Sequence, residues 1–292
     1  MAVQVLNTLK MKKYYITSLF LITAFLGVAI TTHAQEKKYE ISAALGGGAS
    51  YLDYGTRSGE LVPGNGFNAG LRFAYYLNQN ISLGIGAEYQ SYQSSARFLS
   101  LNGRYTTTDI EDESFQFRYA ADHVSEKQKL GYINIPVNIQ YETLGTTRLY
   151  LAAGAKIGFA VSGCSETTMD DVTTSGYYPQ YNVVLYEPAF AGFGTFDAIN
   201  TGKQDLDTEV SYSATFETGI KQILNKKHSL YIGLYLDYGL NTVYDKSNTK
   251  NIVQYTNTAV PVQLQYNSIL DSAYADDPIL LSYGVKLRFA FR

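Results

Sequence analysis

Beginning at Tyr39, apolar and polar residues alternate along the chain. Tyr39, Ile41, Ala43, Leu45, Gly47, Ala49 and Tyr51 occupy one parity and Glu40, Ser42, Ala44, Gly46, Gly48 and Ser50 the other. A period of two is the mark of a strand with one apolar face. The pattern returns in Phe67, Ala69, Leu71, Phe73 and Tyr75, and again, after the polar turn 77–80, in Ile81, Leu83, Ile85, Ala87 and Tyr89. A second hairpin is predicted over Ile133 to Tyr141 and Leu149 to Val161, and a third over Val210 to Ile220 and Leu230 to Tyr238. The last strand is Leu281 to Phe291. Eight strands result.

Their connections alternate in length. Short turns follow the second, fourth and sixth strands, while 55–65, 93–126, 163–205 and 241–277 join the others. Short turns on one rim and long loops on the other characterise outer-membrane barrels. The orientation of the apolar face decides between a membrane barrel and a soluble one. The polar face is also the glycine-rich one, and it sets Gly46, Gly84, Gly154 and Gly233 beside four acids (Glu40, Glu88, Glu217, Asp237) and five bases (Arg72, Lys156, Lys221, Lys286, Arg288). Small residues next to long charged ones suit a cramped lumen in which polar groups must satisfy one another. Tyr39, Tyr51, Tyr75, Tyr89, Tyr141, Tyr212, Tyr283 and Phe291 fall towards the ends of the apolar faces, as aromatic girdles do. The pattern therefore predicts an all-β protein: an eight-stranded antiparallel up-and-down transmembrane β-barrel with three long extracellular loops, the short turns and both termini being periplasmic.

Ahead of the first strand stand Met11-Lys12-Lys13, an almost wholly apolar run over 16–30, and Thr32-His33-Ala34. Basic region, apolar core and small residues two apart read as a signal peptide cleaved after Ala34, with 1–10 as a start overhang. The run is shorter than the ~20 residues of a spanning helix. Residues 35–292 then form the barrel, exported to the outer membrane. Losing Lys10, Lys12 and Lys13 moves the formal charge from −3 to about −6, which argues against nucleic acid as a partner. Tyr (27), Phe (14) and Gly (25) are abundant and Trp is absent, a mixture suited to strands and turns. Cys164 is the sole cysteine, so neither an internal disulfide nor a multi-cysteine metal site can form within the chain.

The stretch Leu130-Gly131-Tyr132-Ile133-Asn134-Ile135-Pro136-Val137, followed by Arg148-Leu149-Tyr150-Leu151-Ala152-Ala153-Gly154, resembles the central hairpin of the PorT-like outer-membrane β-barrel proteins of Bacteroidetes. Tyr75-Tyr76-Leu77-Asn78, Leu83-Gly84-Ile85-Gly86 and the leader end His33-Ala34-Gln35 are similar to that group as well. The likeness covers nearly the whole mature chain, in motifs that are mostly barrel grammar. The family is defined by fold more than by activity. Its namesake takes part in protein secretion across the outer membrane, which implies an accessory secretion role as one alternative.

Near balance of the nine lumen charges favours a closed, salt-bridged interior over an ion-selective channel, with a narrow gated pore as the functional alternative. His123, beside Asp122 and in the same connection as Glu111, Asp112 and Glu113, is the nearest approach to a general base with its orienting acid. A solvated loop histidine accounts for it more simply, so no enzyme is predicted, and an outer-membrane enzyme acting through His123 is kept as an alternative. Ala44 to Ser50 lacks the Lys-Ser/Thr of a phosphate loop. Asp170-Asp171 and Asp276-Asp277 lack the ligand ladder of a calcium loop. No cofactor or metal is expected. The connection after the fifth strand holds Tyr177, Tyr178, Tyr181, Tyr186, Phe190, Phe193 and Phe196, which suits either surface recognition or a lid packed on itself. The expected partners are outer-membrane lipid and an extracellular ligand or envelope protein, for a monomeric barrel.

Overall fold

A computed structural model describes residues 38–246 and 249–292; the leader reading falls on 1–34, outside the described residues. Eight long strands form the barrel: β1 Tyr39–Asp53, β2 Asn65–Tyr76, β3 Ile81–Thr108, β4 Ser114–Glu142, β5 Thr147–Met169, β6 Ser211–Ile223, β7 His228–Gly239 and β8 Ile279–Phe291. Each pairs antiparallel with its neighbour in sequence, and β8 pairs back onto β1 from Ile41↔Phe291 to Asp53↔Ile279. The ring is closed, so the barrel itself leaves no open edge.

The three short turns are set by local chemistry. Asn78 Oδ1 accepts from the amides of Asn80 and Ile81, and Asn225 Oδ1 from those of Lys227 and His228. Asparagine side chains thus close two of the turns. Gly145 serves the third at φ +120°, a conformation costly for any other residue.

Alternation decides what each face meets. Ile41, Leu45, Leu71, Ile85, Ile135, Val137, Leu149, Ile157, Phe216, Leu234 and Leu287 all point outward and are exposed. So large a ring of bare apolar side chains is tolerable only against lipid. On β4 it runs from Ile133 to Tyr141, a rise of about 20 Å at the usual strand tilt of roughly 40°. The residues expected to form the girdles fall in two tiers. Tyr39 faces Tyr75, Tyr141 faces Ile81 and Phe291 faces Ile41 at the short-turn rim; Tyr89, Tyr212 and Tyr283 lie at the other boundary. Tyr51 departs from expectation. It keeps outward parity but is only 9% exposed, because it lies beyond the Ala49↔Asn65 end of the β1–β2 ladder, where the short strand Glu60–Pro63 packs beside β1.

The expected loop over 93–126 is corrected to a hairpin. β3 and β4 stay paired from Ile81↔Tyr141 to Thr108↔Ser114. A 28-residue strand is about 90 Å long, several times what a tilted crossing needs. Much of 163–205 is also strand: β5 runs to Met169, Val172–Tyr178 pairs with β4, and Val183–Leu185 with Val172–Tyr178. These extensions, with 54–64, 240–246 and 249–278, enclose a second core of Phe98, Leu101, Phe115, Phe117, Tyr178, Phe193, Tyr255 and Leu270. This cap is as much a folded body as the barrel below it.

Candidate functional site: the charged lumen and the cap above it

All nine predicted lumen charges point inward. Eight are buried, and Glu217 has its side chain 15% exposed. They fall into tiers along the barrel. Nearest the short turns, Lys221 Nζ lies 2.9 Å from Glu40 Oε2 and 3.1 Å from both carboxylate oxygens of Glu142. Tyr76 donates to Glu142 at 2.5 Å and Tyr231 to Glu40 at 2.6 Å. In the next tier Arg288 reaches Glu217 at 3.1 Å and Gln140 at 3.0 Å, with its guanidinium 4.1 Å above the Tyr231 ring. Above it, Lys156 Nζ bonds Glu88 at 2.9 Å, Asp237 at 2.7 Å and Gln90 at 2.9 Å, while Lys286 takes the other Glu88 oxygen at 2.8 Å.

Arg72 corrects one detail. It donates twice to Asn138 Oδ1, at 3.1 and 2.8 Å, and makes no ion pair among the described residues. Glycine leaves it room, since a Cβ on Gly84 would run into the guanidinium. Sequence reasoning missed Glu142, with its second cation Arg148 at 3.1 Å, by placing it in a turn. The even-numbered inward parity of Asn134, Asn138 and Gln140 carries on to Glu142 and would have found it.

Above the girdle the lumen passes into the cap through Glu126, which is fully buried. Its carboxylate accepts from Ile269 N (2.6 Å), Ser268 Oγ (2.8 Å), Thr167 Oγ1 (2.8 Å) and Gln128 Nε2 (2.7 Å). No ion pair reaches it among the described residues, and burial outweighs the four donors to push its pKa up. The cap's aromatics divide. Tyr178 stacks on Phe115 and Phe193 meets it edge-on in the core, Tyr177 lies under Arg118, and Phe196 is half-buried against the core. Tyr181, Tyr186 and Phe190 are exposed.

His123 stands at φ +47°, exposed, with Nδ1 3.3 Å from Asp170. Glu113, which adjoins the start of β4 at the far tip of the hairpin, is ten residues away, roughly 33 Å along the strand. Glu111, Asp112 and Glu113 are therefore not brought to His123. Cys164 is half-buried, facing Lys129 on β4 and Asp205 in the strand Gln204–Asp205. Among the described residues no group of His, Cys, Asp or Glu is arranged to hold a metal ion.

A closed antiparallel ring with a polar interior and a lipid-facing exterior defines an outer-membrane β-barrel protein. The chain belongs to the outer membrane protein beta-barrel domain family, whose model matches residues 20–245. Among solved structures it is similar to Neisserial surface protein A (11% identity, covering 86% of this chain and 96% of that one, TM-score 0.35). It is also similar to OprG from Pseudomonas aeruginosa (11%, 87% and 94%, TM-score 0.36) and to Ail of Yersinia pestis (11%, 87% and 99%, TM-score 0.30). No curated protein matches the chain.

Proposed function

We propose that this protein is a non-conducting outer-membrane barrel that acts by recognition at its surface, with the short turns and termini in the periplasm and the cap outside the cell. The observation that carries the reading is Lys156, whose ammonium bonds Glu88 of β3 and Asp237 of β7 at once, from β5. Bridges between distant walls fill a lumen that eight strands leave barely wide enough for side chains. Tyr39, Tyr75, Tyr141 and Phe291 on one tier, and Tyr89, Tyr212 and Tyr283 on the other, serve as the two girdles. Recognition falls to the cap's exposed aromatics, Tyr181, Tyr186 and Phe190. The likeness of 130–137 and 148–154 to PorT-like proteins supports membership of that branch, and a role beside a secretion machine is the second reading; co-purification of envelope proteins in mild detergent would favour it. Catalysis through His123 forms no part of the proposal.

Conductance across planar bilayers is the test. Purified protein is expected to give no resolved current steps at either polarity. Regular steps, abolished when Lys156 is replaced by a bulkier residue, would replace this reading with the gated pore.

A further inference from the structure

On one side of the cap, a cleft of about 530 Å³ opens between the segment 204–207 and the last connection, which contributes Tyr244, Lys250, 265–268 and Asp271. Its walls are fixed from behind. Leu206 N donates to Gly163 O, Asn267 N to Ile252 O, and Ser268 is tied to buried Glu126. Asp271 is held by Tyr244 at 2.5 Å and Lys250 at 3.0 Å. In front of that frame, the side chains of Gln204, Asp205, Asp207 and Gln265 make no hydrogen bond or ion pair to other described residues. Gln204, Asp205 and Gln265 are all exposed towards solvent.

The chemistry of this lining narrows the ligand. Three carboxylates against one lysine, itself already paired with Asp271, repel an anion. A metal ion is disfavoured, because among the described residues no three His, Cys, Asp or Glu side chains are grouped to hold one. A sugar hydroxyl both donates and accepts, so it matches carboxylate and carboxamide alike, and Tyr244 and Tyr266 also line the cleft. The volume lies within the range of small-molecule sites and admits about one or two hexose rings.

We propose that this cleft is a saccharide-binding site that takes a neutral mono- or disaccharide unit through Gln204, Asp205, Asp207 and Gln265. The proposal deepens the surface-recognition reading by naming a ligand class. It is tested separately from that reading, because binding in solution depends neither on conductance nor on which side of the membrane the cap faces.

The experiment is saturation-transfer NMR on full-length protein folded in lauryldimethylamine oxide, a detergent without a sugar headgroup. The probes are cellobiose, maltose and chitobiose, with spermidine and glucuronate as charged controls. Saturable binding of at least one neutral probe is expected, weakened about tenfold or more in the Asp205→Ala/Gln265→Ala variant. Both replaced side chains are exposed, and an unchanged melting temperature of the cap, followed by tyrosine near-UV circular dichroism, verifies its fold. Three outcomes overturn the proposal: no saturable binding of any neutral probe up to about 20 mM, binding unchanged in the variant, or spermidine binding more tightly than every neutral probe.

Discussion

Lys156 is the residue on which the interior turns. It neutralises Glu88 and Asp237 from a fully enclosed position, and Gln90 takes its third proton. Removing one member of a buried ion-pair network costs far more than such a network contributes, about 3–5 kcal/mol, because the remaining charges stay desolvated. Lys156→Met is therefore expected to lower the temperature at which the detergent-solubilised protein loses its heat-modifiable migration. Lys127→Met, which removes an exposed lysine from the cap, should leave that temperature unchanged. The charges themselves were legible in the sequence because strand parity assigns a face. Their partners were not: parity alone says nothing about which residues share a level across the barrel, and so it gave no hint that Arg72 would settle on Asn138.

At the scale of elements, the eight crossings could be read from period-two alternation, whereas the continuation of β3 and β4 could not. Two irregularities hide it. At Leu99 and His123 both strands change which parity faces inward, so that Phe98 and Val124 give way to Leu101 and Ala121. In β5 a bulge opposite Gly131 and Tyr132 moves the inward set from even to odd positions, ending on Ser165, Thr167 and Met169. Above the membrane the outer face meets water, so the apolar side that marks a crossing is missing as well. The run Phe115-Gln116-Phe117-Arg118-Tyr119 was the available signal for the hairpin. Phe115 anchors the cap, with Tyr178 stacked at 5.0 Å and Phe193 and Tyr255 edge-on at 5.6 and 5.1 Å. Phe115→Ala should destabilise the cap by about 3–5 kcal/mol. The expected readout is faster proteolysis within 170–210, with the barrel's heat-modifiable migration retained. Glu126 adds a pH dependence. A carboxyl with a raised pKa in the folded protein contributes stability that is fully present below its ordinary pKa of ~4.3 and is lost as pH rises through the raised value. The melting temperature of the cap, followed by tyrosine near-UV circular dichroism, should therefore fall as pH rises above about 4.3, and Glu126→Gln should flatten that fall. A midpoint that rises with pH would show that the four donors outweigh burial.

For the whole molecule, the asymmetry of the two rims makes the proposed polarity of insertion testable. In a Cys164→Ser background, Ile110→Cys at the hairpin tip should react with a membrane-impermeant thiol reagent on intact cells. Leu144→Cys in a short turn should react only after the outer membrane is permeabilised. The reverse pattern would turn the barrel over. The ladder shared by β3 and β4 also has a mechanical meaning. Because the same two strands cross the bilayer and carry the cap, a tether pulling outward on the cap draws along their length. The hydrogen bonds perpendicular to the strands that join β3 to β2 and β4 to β5 are then loaded side by side in shear, many at once, where a flexible loop would let them peel one by one. The hairpin is in that sense a mast stepped into the barrel wall.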